Sequence, residues 1–197
     1  MKNTIYILIS FLIITLSNTS ILAQNNSDEE LANQYFYNKE FDKAVIYYEK
    51  LFNKSHNQTH YLKLLDCFVA LEEYKNAEKL IKNQQRKHPY ELNYNVDLAY
   101  LYNVSGKPND AKQLSEKTIK QLSPNQQQVI SLAQAFQFRK ENDYAIQTYL
   151  QGRKLLKDMF PFNFELAQLY SNSGKTEQML NEYLDILVVQ ESYIQSV

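Results

Sequence analysis

Two histidines four residues apart could bind a metal ion on one face of a helix. His56 and His60 have the i, i+4 spacing that lets two imidazole nitrogens reach the same zinc ion. A structural zinc site needs four ligands, and no third ligand lies near this pair in the sequence. The pair also falls at the junction between two predicted helices. We therefore expect no metal site here, and zinc retained after dialysis would show the opposite.

The other reactive residues have structural interpretations. Cys67 lies in an apolar helical segment, where we expect a small buried side chain. His88 precedes Pro89 at a helix end, where a cation interacts favourably with the helix dipole. Gly174-Lys175-Thr176 resembles the end of a phosphate-binding loop, but Leu169 occupies the place of that motif's first glycine. With no Ser/His/Asp set and no converging carboxylates, we expect neither catalytic residues nor a cofactor.

An internal repeat in the sequence predicts the helices that would position any functional residues. Alanine returns every 33 or 34 residues at Ala44, Ala77, Ala111 and Ala145, and the next step falls on Met179. A leucine-led pair opens each repeat and an aromatic residue follows three positions later. The alanine comes nine positions after the aromatic in four of the five repeats. A period of this length is the signature of a helical-repeat architecture.

The repeated pattern predicts pairs of packed helices. The leucine-led pair and the aromatic lie at i, i+1 and i+4, on one face of a first helix. The alanine then lies where the second helix crosses the first, because only a small side chain lets the two backbones approach. Turns are expected near Lys39, Glu73, Gly106, Glu141 and Gly174. The predicted first helices are 28–38, 58–71, 91–105, 125–139 and 160–173, and the second helices are 41–54, 74–87, 108–122, 142–156 and 176–189.

This pattern resembles the tetratricopeptide repeat (TPR) family over residues 25–193, and Pro89 lies where that family often has a helix-ending proline. The family's first-helix tryptophan is missing from every repeat. The resemblance implies an all-α, right-handed superhelical α-solenoid of about five helix-turn-helix units with a concave groove. It also implies binding of peptides or proteins rather than catalysis. The implied repeats are 25–57, 58–91, 92–125, 126–159 and 160–193, followed by a tail at 194–197.

Residues 1–23 have the order of a secretory signal peptide. A short basic start precedes an apolar run from Ile5 to Leu16, and Ala23 is the small residue at the expected cleavage point. This run is shorter than the roughly 20 residues that span a bilayer, which disfavours an uncleaved anchor. We expect export to the periplasm or envelope of a Gram-negative bacterium, with no membrane insertion of the mature chain from Gln24.

Composition and charge narrow the choice of function. The formal net charge is −1, so no excess of positive charge would draw the chain onto nucleic acid or an anionic membrane. A single cysteine cannot form an intramolecular disulfide, so stability must come from packing. Because the chain has only 3 glycines and 4 prolines, long helices are expected throughout.

The TPR resemblance implies a groove lined by first-helix residues that point away from the core of their own repeat. Amide side chains can hydrogen-bond the backbone of an extended peptide, and aromatic side chains supply apolar contact. Such residues are frequent at the positions that the register places in the groove: Asn33, Tyr37, Leu62, Asp66, Asn93, Val96, Tyr100, Asn103, Gln134, Gln137, Phe138, Gln168 and Asn172. The alternative is that these are solvated positions in a chain rich in Asn and Gln.

One TPR subtype, the carboxylate clamp of chaperone adaptors, is disfavoured. The family's first-repeat asparagine is matched by Asn33. The clamp positions that hold Lys, Asn, Lys and Arg in that subtype are Glu29, Lys63, Asn93 and Asp97 in this chain. None of the three clamp bases is retained and two positions carry acids, so capture of an acidic chain end is not expected.

The last second helix carries an apolar ridge of Leu180, Leu184, Leu187 and Val188. A solenoid normally ends in a capping repeat with a polar outer face. Either the chain is a fragment of a longer protein, or a partner or a second copy covers the ridge by self-association. The sequence thus predicts a non-catalytic scaffold that binds a protein or an extended peptide. The alternative is the TPR region of a longer protein whose enzymatic, transport or secretion activity lies beyond Val197.

Overall fold

The computed structural model describes residues 27–157 and 159–194, with side chains described as far as residue 188. All regular structure in these residues is helical, which confirms the all-α prediction. The predicted signal peptide, residues 1–23, and residues 195–197 of the predicted tail lie outside the described residues. Helix α1 covers residues 27–37. It is followed by α2 Phe41–Ser55, α3 Gln58–Ala70, α4 Tyr74–Lys87, α5 Asn93–Val104, α6 Pro108–Lys120, α7 Gln126–Phe138, α8 Asn142–Leu155, α9 Asn163–Asn172 and α10 Thr176–Ile194.

Most helix ends lie within two residues of their predicted positions, and two differ for physical reasons. Helix α9 begins at Asn163 rather than at 160, because Pro161 disfavours helical geometry in the residue before it and Phe162 has a φ of 53°. Helix α10 continues to Ile194 rather than ending at 189, since neither glycine nor proline interrupts its sequence. None of the helices in the described part of the chain is long and apolar enough to cross a lipid bilayer.

The turn inside each predicted helix pair contains one residue in the left-handed conformation. These residues follow the same 33- or 34-residue period as the alanines: Lys39 (φ 62°), Glu72 (58°), Gly106 (80°), Lys140 (61°) and Gly174 (69°). Two of the predicted turn centres, near Glu73 and Glu141, are therefore one residue too late. Glycine adopts this conformation without steric cost, whereas the lysines and the glutamate are held in it by the packing of the helices on either side.

The contacts divide the chain into two units, Met1–Ala77 and Glu78–Val197. In the described part of the first unit, α1 packs against α2 through aromatic side chains. The ring centroids of Tyr35 and Tyr47 are 5.6 Å apart, and those of Phe36 and Tyr48 are 6.0 Å apart. Helix α3 packs against α2 in turn, with Tyr61 in contact with Phe52 of α2.

The second unit contains three antiparallel helix pairs, α5–α6, α7–α8 and α9–α10. Helix α5 also packs against α7, α6 against α8, and α8 against α9. The buried core at these contacts is centred on Leu132, Phe136, Tyr149, Phe162 and Leu166. This stacking of one helix pair on the next gives each first helix a fixed position relative to its neighbour.

The recurring alanines are buried, as predicted for close helix crossings. Ala44, Ala77 and Ala145 have no exposed surface and Ala111 has little, while Met179 at the fifth position is only half-buried. A second close crossing was not anticipated from the sequence. A Cβ atom added to Gly152 of α8 would lie 2.4 Å from Cγ1 of Val129 on α7, so the backbone of α8 packs directly against the Val129 side chain.

Candidate functional site

A buried ion pair links the first helices of two successive repeats in the second unit. Asp97 lies on α5, and Arg139 caps the C-terminal end of α7. The Arg139 guanidinium donates from Nε and Nη2 to Asp97 Oδ1 at 2.9 and 2.7 Å. The two side chains are only 5% and 7% exposed. Hydrogen bonds between ionised groups at this distance are the strong class, and they fix the orientation of the guanidinium plane.

The same guanidinium lies against two aromatic rings. Its central carbon is 4.3 Å from the ring centroid of Tyr100 on α5 and 5.0 Å from that of Phe138 on α7. A cation within about 6 Å of a ring face is attracted to it. Arg139 thus holds both aromatic side chains in place, although Phe138 is exposed and Tyr100 is half-exposed.

Beside this cluster a cleft of about 140 Å³ opens between α5, α6, α7 and the start of α8. Its floor is apolar and its rim carries groups able to hydrogen-bond. Helix α5 contributes Val96, Ala99, Tyr100 and Asn103, and the other walls are Pro108, Ala111, Lys112, Ser115, Phe136, Arg139, Glu141 and Tyr144. Apolar concavities with a few placed polar groups are the usual form of a binding pocket.

The charges around the cleft nearly balance. Arg139 is neutralised by Asp97, while Lys112 and Glu141 lie on the lining with opposite signs. Burial raises the pKa of Tyr144 above its usual value, with smaller contributions from Glu116 and Glu141, so its hydroxyl remains a hydrogen-bond donor. The cleft can therefore accept an apolar side chain and offer hydrogen bonds to a peptide backbone.

The structure places the sequence-predicted groove residues of the second unit in two groups. Tyr100 and Asn103 line the cleft, and Phe138 adjoins it through Arg139. Val96 also belongs to the cleft lining, but it is only 2% exposed and forms part of the core between α5 and the following pair. The remaining residues are not part of the cleft lining; Gln134, Gln168 and Asn172 are exposed, and Asn93 and Gln137 are half-buried.

In the first unit the predicted groove residues lie near a second cation, the ammonium group of Lys63. Lys63 Nζ lies 3.8 Å from the Phe36 ring centroid and 5.0 Å from that of the exposed Tyr37. Leu62 and Asp66 are half-buried beside it on α3. The amide oxygen of Asn33 accepts a hydrogen bond from the Tyr48 hydroxyl at 2.9 Å. Part of the hydrogen-bonding capacity predicted for Asn33 is thus used inside the fold.

Arg139 was not predicted as a site residue from the sequence, and neither were the cleft residues on α6 and α8. The sequence has three arginines, and two of them form ion pairs with buried carboxylates: Arg139 with Asp97, and Arg153 with Glu182. The planar guanidinium is preferred over lysine for such pairs. Because arginine is rare in this lysine-rich chain, each arginine could have been considered from the sequence as a candidate for a buried ion pair.

The residues first considered for chemistry have structural roles. His60 is buried, with Nδ1 3.0 Å from Ser55 Oγ and Nε2 3.5 Å from Glu29, and the His56 ring lies against Phe52. Burial raises the pKa of the Cys67 thiol to about 12, which suppresses the nucleophilic thiolate at neutral pH. Among the described residues, no group of three or more His, Cys, Asp or Glu side chains could hold a metal ion.

The other two motifs lie at helix ends, as expected. His88 follows the last residue of α4, and its Nδ1 is 3.1 Å from a Glu91 oxygen. Gly174 forms the left-handed turn between α9 and α10, and the ammonium of Lys175 lies 2.7 Å from Asp143. The sequence Gly174-Lys175-Thr176 is therefore an ordinary inter-helix turn.

Comparison with solved structures returns proteins built of helical repeats. The TPR-like repeats of a putative kinesin light chain from Podosopora anserina are 20% identical, with a TM-score of 0.42, and the match covers 86% of this chain and 96% of that one. A thermophilic TPR protein of Thermus thermophilus is 17% identical, with a TM-score of 0.41 and coverage of 83% and 90%. MamA is 14% identical, with a TM-score of 0.39 and coverage of 87% and 94%. No protein-family model and no curated protein matches the chain.

The chain's own geometry decides the type of fold. Buried alanines and left-handed turns recur with one period of 33 or 34 residues, within pairs of antiparallel helices. The fold is of the tetratricopeptide-repeat type. Helices α5 and α7 are the first helices of two successive pairs. The Asp97–Arg139 pair therefore joins adjacent TPRs at the place where the cleft opens.

Proposed function

We propose that this chain is a non-catalytic scaffold that binds an extended segment of another protein on the first-helix face of α5 and α7. The observation that carries the proposal is Tyr100, which Arg139 holds beside an open cleft. Side chains that are ordered before binding lose little conformational entropy when a partner arrives. A prepositioned aromatic at a concave site is therefore suited to act as a binding anchor.

The chemistry of the cleft supports a peptide as the ligand. Its volume of about 140 Å³ is small and favours insertion of a single side chain rather than a large cofactor. The apolar floor formed by Val96, Ala99 and Phe136 would receive an apolar side chain of the peptide. Asn103 on the rim carries both a donor and an acceptor, which is what a peptide backbone needs.

The remaining groove residues extend the proposal to a wider surface. On α7 and α9 the exposed amides Gln134, Gln168 and Asn172 would contact the same ligand. Tyr37, Leu62 and Asp66 form a separate candidate contact area in the first unit. Their support is their position on first helices and their mixture of aromatic, aliphatic and polar groups.

We propose that the scaffold works in the periplasm or envelope of a Gram-negative bacterium. The support is the signal-peptide pattern of residues 1–23. Expression of the full chain in such a host, followed by intact-mass measurement of the periplasmic protein, tests this step. A mature chain that begins at Gln24 is the expected result, and a full-length cytoplasmic chain would refute export.

The binding proposal is tested with peptides selected from a random display library on the folded chain. We expect the selected peptides to share an apolar residue and to bind the variants Tyr100→Ala and Phe138→Ala at least about tenfold more weakly, as for hot-spot aromatics. Tyr90→Ala is the matched control, since Tyr90 is an exposed tyrosine outside the predicted groove. Unchanged binding to both test variants, with helicity retained, would place the working surface elsewhere.

A further inference from the structure

A continuous apolar ridge on α10 has no covering element among the described residues. It consists of Leu180, Leu184, Leu187 and Val188, which we call the α10 ridge, and each of these side chains is more than half exposed. Their i, i+4, i+7, i+8 spacing aligns them in one stripe along the helix. Single exposed apolar residues are common on protein surfaces, but a contiguous stripe marks an interaction site.

Comparison of α10 with the equivalent helix of the preceding repeat, α8, indicates that a helix would pack against this surface. Leu180 is 51% exposed, but its equivalent in the preceding repeat, Ile146 of α8, is 6% exposed. Tyr183 is 39% exposed, whereas its equivalent Tyr149 is 2% exposed. Both equivalents belong to the core that α8 shares with α9, and the ring of Phe162, the N-cap residue of α9, lies 5.2 Å from that of Tyr149. At Leu180 and the neighbouring Tyr183, α10 thus presents side chains of the kind that pack against a following helix in the preceding repeat.

The negative charge of α10 favours a partner helix that carries positive charge. The helix contains no lysine or arginine. Glu182 is held by Arg153 at 2.7 Å, while Glu177 and Asp185 are exposed near the stripe. A second copy docked ridge to ridge would bring acidic helices together, which is unfavourable. A helix with basic residues beside its apolar stripe would instead complement this surface.

We propose that the α10 ridge docks an amphipathic helix of another polypeptide, whose apolar stripe is flanked by lysine or arginine. This site goes beyond the peptide cleft, because it lies on a second helix rather than on the first-helix face of α5 and α7. The scaffold would then hold two ligands of different form, an extended segment at the cleft and a helix at the ridge.

The test uses the full chain and two synthetic helical peptides with the same leucine stripe. One peptide has lysine at the flanking positions and the other has glutamate, and binding is measured by fluorescence anisotropy at low and high salt. We expect the lysine peptide to bind at least about tenfold more tightly than the glutamate peptide, with a difference that shrinks as salt screens the charges. Equal affinity for the two peptides would overturn the proposal.

Variants locate the binding surface and separate the competing occupants. Leu184→Glu should abolish binding of the lysine peptide, whereas Ile46→Glu, at an exposed aliphatic on α2, should leave it unchanged. The double variant Glu177→Lys, Asp185→Lys should reverse the preference towards the glutamate peptide. Binding unaffected by Leu184→Glu overturns the assignment. Self-association of the free chain that is lost in Leu184→Glu would assign the ridge to a second copy instead, and ridge-dependent binding to zwitterionic lipid vesicles would assign it to a membrane.

Discussion

Arg139 and Asp97 are 42 positions apart in the chain, yet two guanidinium nitrogens of Arg139 hydrogen-bond the same carboxylate oxygen, Oδ1. The pair connects α7 to α5, and the guanidinium also lies against Tyr100. One buried arginine thereby ties the packing of two repeats to the position of the proposed anchor. A change at either charged residue should affect stability and binding together.

We expect Asp97→Ala to destabilise the fold by about 3–5 kcal/mol, because it removes the carboxylate that compensates the buried Arg139 charge. Replacing both residues with apolar ones, as in Asp97→Leu with Arg139→Met, should restore most of that loss, since no buried charge then remains. Urea unfolding of the single and double variants measures the difference. A single variant as stable as the parent chain would show that the pair is solvated in solution.

Gly152→Ala is expected to destabilise the chain by about 1–3 kcal/mol. Helix propensity alone would favour alanine by about 1 kcal/mol, so the steric contact decides the sign. The added Cβ would lie 2.4 and 2.7 Å from the two methyl carbons of Val129. Thermal unfolding should show a lower midpoint for the variant.

The double variant Val129→Ala, Gly152→Ala tests whether the clash with Val129 causes this destabilisation. Val129→Ala alone should destabilise by opening a cavity, but adding Gly152→Ala to it should cost much less than in the parent, because the clashing methyl groups are gone. Additive effects of the two substitutions would contradict contact between these helices.

Stability should fall as the pH rises above 10. Burial raises the pKa of Tyr94 and of Tyr149 to about 12 in the folded chain, while unfolded tyrosines ionise near 10. The stabilising contribution is therefore complete below pH 10 and is lost between about pH 10 and 12, at up to about 1.4 kcal/mol per pH unit for each tyrosine. Urea unfolding at several alkaline pH values measures the slope. The variant Tyr94→Phe, Tyr149→Phe should show a shallower slope, and an unchanged slope would assign the effect to other groups.

A peptide ending in Glu-Glu-Val-Asp should not bind this chain. Two positions that carry clamp bases in chaperone adaptors are occupied by Glu29 and Asp97, so these positions offer no positive charge to an acidic chain end. Lys63 keeps one positive charge, but its ammonium lies over the Phe36 ring. Isothermal titration calorimetry with this peptide and its C-terminal amide makes the comparison. A micromolar dissociation constant that is lost on amidation would overturn the prediction.

Much of the local structure could be predicted because each repeat carries its own signals. The leucine-led pairs, the aromatic residues and the alanines locate both helices of each pair, and the turns occur within one residue of their expected positions. Local chemistry also explains the longest delay of a helix start, at Asn163 after Pro161. The predicted groove residues were chosen by register alone, and register could not show that Val96 is almost fully buried. A residue on the outward side of one helix is buried when the next pair packs against it.

The amino-acid sequence by itself determined the helical pairs, their period and the small residues at their crossings, because these depend on spacings within about 34 residues of chain. Only the tertiary structure decided that Asp97 meets Arg139, and that Leu180 of the α10 ridge is exposed while its counterpart Ile146 on α8 is buried. The physical reason is that these features arise where one helix pair packs on another. Side-chain direction, burial and charge pairing at such contacts depend on residues distant in the chain, which no single repeat specifies.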